Sequence, residues 1–489
     1  MANHNSHHSM RSLLQTNAYV DGHWIPLEQR FQVLNPATGE VLADVADADA
    51  TLTERAIDAA HKALPSWRAK TPKQRAELLL RWYQAMLDNK QALAELMSAE
   101  QGKPIAEAAG EIEYGASFVA WFAGEAERSY GDVLPTQSSG QRAWIIKQGV
   151  GVCAAITPWN FPNAMITRKV APALAAGCTM VVKPPQLTPL SALALAQLAS
   201  EVGIPDGVLN IVPSSQAKEV GQVLTSHPLV RKLSFTGSTN VGKLLMQQAA
   251  ESVKKVSLEL GGNAPFIVFD DADLDLSVTQ LLACKFRNAG QTCISANRVL
   301  VQDAVLPEFT EKLQQAVGQL KVGPGDQADI DYGPLINQAA IDKVQRLLND
   351  ATAAGAKLLT GGKVLDNLGP LFYAPTVLSG VTSMMAISQE EIFGPVIAIQ
   401  SFTDENEGIR LANDTPFGLA GYFCASDYAR IIRVSERLEC GMLGVNAGAI
   451  SHAYNAFGGV KESGIGREGS RYGLAEYQET KTITLGGIK

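Results

Sequence analysis

The sequence predicts an α/β protein with two doubly wound domains and a small additional β arm. The chain has 489 residues, which is longer than the size at which a single hydrophobic core stops growing. From Val150 onward, short β-branched runs alternate with helical segments, and the same alternation starts again after Glu259. Strands that alternate with helices form parallel βαβ units, so two such sets indicate two sheets covered by helices.

Helical and strand patterns follow one another along the chain. From Thr51 to Trp121, Ala, Leu and Trp recur every three or four residues between charged residues, which predicts structural amphipathic helices. The runs VGVCAAI, CTMVVKP, GVLNIVP and VRKLSFTG predict the strands of the first sheet. NAPFIVFD and NRVLVQD begin the second set, with helices expected from Leu274 to Asn288 and around Phe309 to Val317.

Two further runs, RAWIIKQ near residue 143 and TITLGGI near residue 482, are predicted to be isolated strands outside both sheets. Exposed edge strands can pair with another subunit. The sequence therefore predicts a β arm and a homo-oligomer, either a dimer or a tetramer.

Composition excludes several classes of function. Hydrophobic residues make up 46% and charged residues 18% of the chain, and the net charge is -8. These values are typical of a globular protein, with no apolar run of membrane-span length and no basic field for nucleic acid. The first residues lack the apolar stretch of a signal peptide, and the six cysteines lack metal-binding spacing. We expect a cytoplasmic protein with reduced thiols, no metal site, and a flexible start that includes His4, His7 and His8.

The motif FTGSTNVG, residues 235–242, leaves a predicted strand, turns at Gly237 and begins a helix. The first peptide N–H groups of a helix are free to bind an anion, which suits a pyrophosphate. Ser238 and Thr239 separate this motif from the GxGxxG pattern, and a glycine that only caps a helix is the alternative.

Two residues are candidates for covalent chemistry. Cys293 lies in GQTCISANR, a small and polar stretch in which a thiol can be reached, although a structural cysteine is the alternative. Glu259 follows an apolar strand and precedes a Gly-Gly turn in SLELGGNAP.

These strings occur together with ITPWNFP at 156–162, KPPQLTP at 183–189 and EEIFGP at 390–395. In this combination and order the chain resembles the aldehyde dehydrogenase superfamily, from LNPATGE at 34–40 to GVKESGIGRE at 459–468. NAMITRK at 163–169 and the NAGQTC context are similar to the succinate-semialdehyde dehydrogenase branch.

The resemblance implies an aldehyde dehydrogenase-like fold with particular domain limits. Residues 15–130 and 150–260 would form a discontinuous, Rossmann-like dinucleotide-binding domain. Residues 261–472 would form the catalytic domain, and residues 131–149 with 473–489 an oligomerisation arm.

The resemblance also implies catalytic roles. Cys293 would attack the aldehyde to give a thiohemiacetal, whose oxyanion the Asn160 side-chain amide and a backbone N–H at Cys293 would stabilise. Loss of hydride then leaves a thioester. Glu259 would activate the water that hydrolyses this thioester to the carboxylic acid.

For the cofactor, the family places Lys183 at the adenosine ribose, Gly237 and Ser238 at the pyrophosphate, and Glu391 with Phe393 at the nicotinamide riboside. Trp159 and Leu260 would line the same cleft. Glutamate is common at position 186 in NAD-dependent relatives, whereas this chain has Gln186. Because glutamine removes a repulsion of roughly 4 kcal/mol from a 2'-phosphate at an effective dielectric of 20, both NAD and NADP are expected to be used.

For the substrate, the branch implies an acidic aldehyde such as succinate semialdehyde. Arg168 and Arg298 would bind its anionic tail, with surface ion pairing as the alternative. Ser451 matches a third tail-binding position, whereas His452 departs from the branch and suggests a sulfolactaldehyde or glutarate semialdehyde instead.

Two alternatives to a hydrolytic aldehyde dehydrogenase are disfavoured by the sequence. A non-catalytic relative that kept only the fold is disfavoured because Cys293, Glu259 and Asn160 are all present. An enzyme that releases the thioester with CoA is disfavoured by Glu259, which such relatives usually lack.

Overall fold

A computed structural model describes residues 8–488 of the chain. The α-helices are α1 (Met10–Leu13), α2 (Ala50–Ala69), α3 (Pro72–Asp88), α4 (Lys90–Gln101), α5 (Ile105–Glu127), α6 (Ala164–Ala175), α7 (Leu190–Glu201), α8 (Ala217–Ser226), α9 (Thr239–Ala250), α10 (Leu274–Lys285), α11 (Leu306–Val317), α12 (Gln338–Ala353), α13 (Ala386–Gln389), α14 (Glu405–Asn413), α15 (Tyr428–Arg437) and α16 (Ser470–Ala475). Short 3-10 helices cover Arg287–Gly290 and Lys461–Ser463.

The strands are β1 (Ala18–Val20), β2 (His23–Ile25), β3 (Arg30–Leu34), β4 (Val41–Ala46), β5 (Asp132–Leu134), β6 (Arg142–Gly149), β7 (Val152–Ile156), β8 (Thr179–Lys183), β9 (Leu209–Ile211), β10 (Val230–Thr236), β11 (Lys255–Glu259), β12 (Ala264–Val268), β13 (Ala296–Gln302), β14 (Lys357–Thr360), β15 (Thr376–Ser379), β16 (Val396–Phe402), β17 (Ala420–Cys424), β18 (Met442–Val445), β19 (Gly464–Ile465) and β20 (Gln478–Leu485).

Two large sheets organise the molecule. The first has the order β19-β11-β10-β7-β8-β9-β1-β2, and its five central strands run parallel. The second has the order β14-β15-β16-β13-β12-β17-β18 and is parallel except at β14. In the first sheet the direction of chain progression reverses between β7 and β10. Ligands of doubly wound sheets bind at such a reversal, beyond the carboxyl ends of the strands.

Each large sheet is covered on both faces. Cys153 and Ala155 of β7 pack into one apolar cluster, whereas Val152 and Ala154 pack into another on the opposite face. The second sheet repeats this pattern, since Val299 and Val301 of β13 lie on one face and Leu300 on the other. Such alternation is the period-2 pattern of a strand buried on both sides. The predicted doubly wound α/β class is therefore observed.

The runs predicted as isolated strands pair with each other. Residues 142–149 (β6) pair along their whole length with residues 478–485 (β20), and β5 completes a three-stranded sheet. A further two-stranded sheet joins β3 and β4. Among residues 8–488, no helix is long and apolar enough to cross a membrane.

Two local expectations need correction. His8 is not part of a frayed start, because its backbone N–H donates to Asn89 Oδ1 at 2.6 Å and its ring lies 2.9 Å from a Glu201 carboxylate oxygen. His4 and His7 lie outside the described residues. The helix expected to reach Asn288 ends at Lys285, because Asn288 and Ala289 adopt left-handed backbone angles (φ 51° and 55°).

Candidate active site

A cleft of about 350 Å³ lies at the chain reversal of the first sheet. The loop after β7 and the turn after β10 form one side of it, and residues from the second α/β unit form the other. The cleft brings together eight residues that the sequence predicted for the site: Trp159, Asn160, Gly237, Ser238, Leu260, Cys293, Glu391 and Phe393.

Cys293 follows a tight turn and lines this cleft. Left-handed Asn288, Ala289 and Gly290 reverse the chain after α10. The buried Asn288 amide donates to the backbone oxygens of Asn160 (3.0 Å) and Gln291 (3.3 Å). Cys293 itself is partly exposed.

Asn160 is buried beside this turn, where its Nδ2 donates to the Gln291 carbonyl at 2.9 Å. That bond fixes the orientation of the amide, because the reverse orientation would bring two acceptor oxygens together. An amide nitrogen carries two hydrogens, so one N–H of Asn160 remains available. This donor is free for the oxyanion predicted at Cys293.

Both the thiol and the candidate base favour their neutral forms. Burial raises the pKa of Cys293 to about 12, Glu391 raises it further and Arg168 opposes the shift. Burial also raises the pKa of Glu259 well above its usual range, with a further rise from Glu468. Both carboxyl oxygens of Glu259 are buried without a hydrogen-bond partner.

The local fold explains the position of Glu259. It is the last residue of β11, paired with Thr236 of β10 on one side and Gly464 of β19 on the other. A Cβ at Gly458 would come within 2.9 Å of a Glu259 carboxyl oxygen, so glycine leaves room for the carboxyl group.

Two glycines allow the chain to pack closely against cleft residues Leu260 and Cys293. A Cβ at Gly242 would lie 2.4 Å from Leu260, and one at Gly262 would lie 2.3 Å from the Cys293 carbonyl oxygen. α9 begins after Ser238 without a side-chain cap, so its first N–H groups are available to an anion.

Of the remaining cofactor candidates, Trp159 and Phe393 line the cleft, whereas Lys183 and Gln186 do not. Lys183 is buried and donates to the Ser214 carbonyl at 3.0 Å, and burial lowers its pKa to about 8. Gln186 is exposed. Phe393 has a left-handed φ of 56° and meets Trp159 edge to face at 5.7 Å. A costly backbone angle at a cleft residue is typical of a functional site.

The structure contradicts the assignment of Arg298 to the substrate tail. The Arg298 guanidinium is buried and donates to the backbone carbonyls of Asn263 (3.0 Å), Leu411 (2.7 Å) and Ala412 (2.8 Å). It lines a different cavity from the one that contains Cys293. Arg298 therefore ties β13 to the end of α14 and does not face the nucleophile.

Arg168 lies near Cys293, but its charge already has a partner. Its Nη2 is 2.7 Å from Glu468 Oε2, and the guanidinium lies 3.9 Å from the centre of the Phe457 ring. Its positive charge opposes the rise that burial causes in the pKa values of Cys293 and Glu259. The charge of Arg168 is thus compensated by Glu468 without an anionic substrate tail.

Sequence reasoning missed Arg287. Its guanidinium lies over the rings of Phe161 (4.6 Å) and Tyr114 (5.7 Å), and it is only partly buried. Among residues 8–488 it has no ion pair within 4 Å and no side-chain hydrogen bond, and its charge opposes the rise that burial causes in the pKa of the Glu107 carboxyl group. The available signal was an arginine in the polar turn six residues before Cys293.

Ser451 and His452 differ in their surroundings. Ser451 Oγ is hydrogen-bonded to the Tyr114 hydroxyl, so it belongs to the same group as Arg287. His452 is exposed, and its ring stacks on Tyr454 with centroids 5.2 Å apart.

The family model for the "Aldehyde dehydrogenase family" matches residues 24–483. A 3-sulfolactaldehyde dehydrogenase from Pseudomonas putida is 56% identical over 98% of this chain and 98% of its own length. A glutarate-semialdehyde dehydrogenase from Pseudomonas aeruginosa is 55% identical, covering 97% and 99%. The NADP(+) succinate-semialdehyde dehydrogenase of Escherichia coli is 54% identical, covering 97% and 98%.

Solved structures agree. An E. coli NADP-dependent enzyme superposes with a TM-score of 0.96 at 53% identity, covering 98% of this chain and 99% of that one. Betaine aldehyde dehydrogenase from Staphylococcus aureus in complex with NAD+ gives 0.95 at 36% identity, covering 98% and 96%. The predicted fold and the resemblance are confirmed. The chain belongs to the aldehyde dehydrogenase family and is an NAD(P)-dependent oxidoreductase of the semialdehyde dehydrogenase type.

Proposed function

We propose that this enzyme oxidises a short aldehyde with an anionic tail, such as succinate semialdehyde, glutarate semialdehyde or sulfolactaldehyde, to the corresponding acid. The observation that carries this proposal is the unpaired guanidinium of Arg287, next to the Tyr114–Ser451 pair and a few residues before Cys293. An arginine and two hydroxyl groups are ligands for a carboxylate or a sulfonate. Relatives with these three substrates in their names support the same class.

The chain's own groups account for the chemistry. The Cys293 sulfur bonds to the aldehyde carbon and its proton passes to a water molecule. The Asn160 N–H and a backbone N–H at Cys293 stabilise the oxyanion. A bound dinucleotide would supply the hydride acceptor that oxidation of the thiohemiacetal requires. A thioester remains on Cys293. Ionised Glu259 takes a proton from water, hydroxide adds to the thioester, and the acid leaves as the thiol is restored.

The residues present fit a dinucleotide. The uncapped start of α9 suits a pyrophosphate. Lys183 would hold the adenosine ribose, and neutral Gln186 would tolerate a 2'-phosphate. Glu391 with Phe393 would hold the nicotinamide riboside. Because Gln186 tolerates a 2'-phosphate without requiring one, both NAD and NADP should serve as cofactors.

The arm and the domain limits complete the proposal. Val133 of β5 is 90% exposed although it lies in a strand, which supports burial of this edge by a second subunit in a dimer or tetramer. The proposed domains are residues 15–130 with 150–260, residues 261–472, and an arm of 131–149 with 473–489; residues 464–465 nevertheless pair with β11 of the first sheet. The six cysteines are free thiols, which supports a reducing compartment such as the cytoplasm.

Kinetics with matched aldehydes test the anionic-tail proposal. Arg287→Met should lower kcat/KM for acidic aldehydes by about 10- to 150-fold, since a hydrogen bond to a charged group contributes about 1.5–3 kcal/mol. Values for butanal and hexanal should change less than about threefold.

Two arginine controls sharpen the test. Arg81→Met removes an exposed arginine far from the cleft and should change neither substrate class. Arg298→Met should lower thermal stability without changing the ratio of acidic to neutral aldehyde. An Arg287→Met enzyme that loses both aldehyde classes equally would refute the anionic-tail proposal.

A further inference from the structure

A buried ion pair outside the cleft contacts the loop that carries Asn160. Lys103, between α4 and α5, has a side-chain exposure of 0%, and its partner Glu111 in α5 has 1%. Lys103 Nζ donates to Glu111 Oε2 at 2.6 Å and to the Asn160 backbone carbonyl at 2.9 Å. It also lies 4.0 Å from the centre of the Phe161 ring. Burying two charges costs free energy unless their geometry is good and their remaining hydrogen bonds are satisfied.

Glu111 holds the other end of the same loop. Its Oε1 accepts the backbone N–H groups of Asn163 (3.0 Å) and Ala164 (3.1 Å). These groups start α6, which has no side-chain cap of its own at Asn163. A carboxylate from a distant helix thus takes the place of the usual local cap. The Lys103–Glu111 pair therefore binds the backbone at both ends of residues 160–164.

The Asn160 carbonyl also connects this pair to the nucleophile. It accepts a second hydrogen bond, at 3.0 Å, from Asn288 Nδ2 in the turn that precedes Cys293. The Asn160 side chain in turn donates to Gln291 in that turn. Small displacements of the Asn160 backbone therefore change the position of its amide relative to Cys293.

We propose that Lys103 and Glu111 are positioning residues that hold the Asn160 amide at the oxyanion formed on Cys293. The inference rests on the proposed role of Asn160 as an oxyanion donor. Loss of one such donor lowers kcat by about 10²- to 10³-fold, and a misplacement of about 1 Å can cost up to about 10²-fold. Disturbing the pair should therefore lower kcat by about 10- to 100-fold, with little change in aldehyde KM or dinucleotide affinity.

The test is a double-mutant cycle on the full-length enzyme. Lys103→Met, Asn160→Ala and the combined variant are compared by kcat, aldehyde KM and dinucleotide affinity. If Lys103 acts through Asn160, Lys103→Met should lower kcat about 10- to 100-fold in the wild type and less than about threefold in the Asn160→Ala background. Lys103→Arg, which keeps the charge and donors, should recover part of the loss.

Two further variants keep the outcome interpretable. Lys103→Met with Glu111→Gln removes both charges, so it avoids an unpaired buried carboxylate in case the single variant does not fold. Lys232→Met removes another fully buried lysine, which binds Ser257. It should lower the melting temperature comparably and leave kcat unchanged.

The results separate the two proposals. Near-normal kcat in Lys103→Met with Glu111→Gln, or equal losses from Lys103→Met in both backgrounds, would overturn the positioning role. Near-normal kcat in Asn160→Ala would instead refute the oxyanion role itself.

Discussion

The two ends of the cleft are constructed differently. The proposed dinucleotide end is formed mainly by backbone, namely the turn at Gly237 and the uncapped start of α9. The proposed tail end is formed by side chains from three distant segments, namely Tyr114, Arg287 and Ser451. Cys293, Asn160 and Met165 line the cleft, and Tyr114 packs against the apolar cluster that contains Met165.

This difference teaches where specificity can change. Backbone N–H groups at a strand-to-helix turn persist through most substitutions, so we expect dinucleotide binding to be robust. The tail end depends on a few side chains that carry charge or hydroxyl groups, so a single substitution there should alter substrate preference.

Cys293→Ala should abolish turnover, because no other described thiol lines the cleft. Loss of a covalent nucleophile can reduce kcat on the order of 10⁶-fold. Dinucleotide affinity, measured by fluorescence titration, should change less than about threefold. The matched control is Cys440→Ala, a partly buried thiol elsewhere, which should keep full activity. Substantial turnover by Cys293→Ala would refute the proposed mechanism.

Glu259→Gln should lower steady-state kcat by about 10²- to 10⁴-fold, the usual contribution of a general base. Hydride transfer precedes hydrolysis, so stopped-flow absorbance should show one rapid equivalent of reduced dinucleotide followed by slow turnover. In the wild type, kcat should fall as the pH drops, because the raised pKa of Glu259 means that protonation begins at a higher pH than for an ordinary glutamate. A variant that loses the burst as well would place Glu259 before hydride transfer.

Sequence reasoning worked where local order decides position. The runs that became β7, β8, β9 and β10 predicted the first sheet, and the motifs after β7 and β10 lie together in the cleft because parallel strands end at the same edge. Pairing of residues 142–149 with 478–485 was not predicted, since no local pattern reports contacts over more than 300 residues.

The tail end shows where such reasoning fails. Arg298 was chosen for its spacing from Cys293, but it lies within β13, and its side chain reaches backbone carbonyls of the Asn263 turn and α14. Arg287 lies before three residues with left-handed angles, which turn the chain between it and Cys293. A spacing of five residues therefore predicted the wrong side, because the direction of a side chain depends on the backbone between the two positions.

Lys183 offers a pH test of the dinucleotide end. Burial lowers its pKa from 10.5 to about 8, so the ammonium form that attracts a phosphate predominates only below about pH 8. The dissociation constant for NADP should therefore increase about tenfold between pH 7 and pH 9. Lys183→Met should bind NADP more weakly at pH 7 and lose most of this pH dependence. An equally steep dependence in the variant would assign the effect to another group.

The smallest effect is expected at His452. Its ring is exposed and stacked on Tyr454, so water screens any interaction with a substrate tail. Exposed charge pairs contribute about 0.2–1 kcal/mol, which corresponds to about 1.5- to 5-fold in a preference ratio. If His452 contacts the tail, His452→Asn should shift the ratio of kcat/KM for a sulfonated over a carboxylated aldehyde toward the carboxylate by that amount. The exposed histidine of α2 provides the control, since His61→Asn should leave the ratio unchanged. An unchanged ratio in His452→Asn would leave selection of the tail to Arg287 and the Tyr114–Ser451 pair, and would restrict the side-chain part of the site to the interior of the cleft.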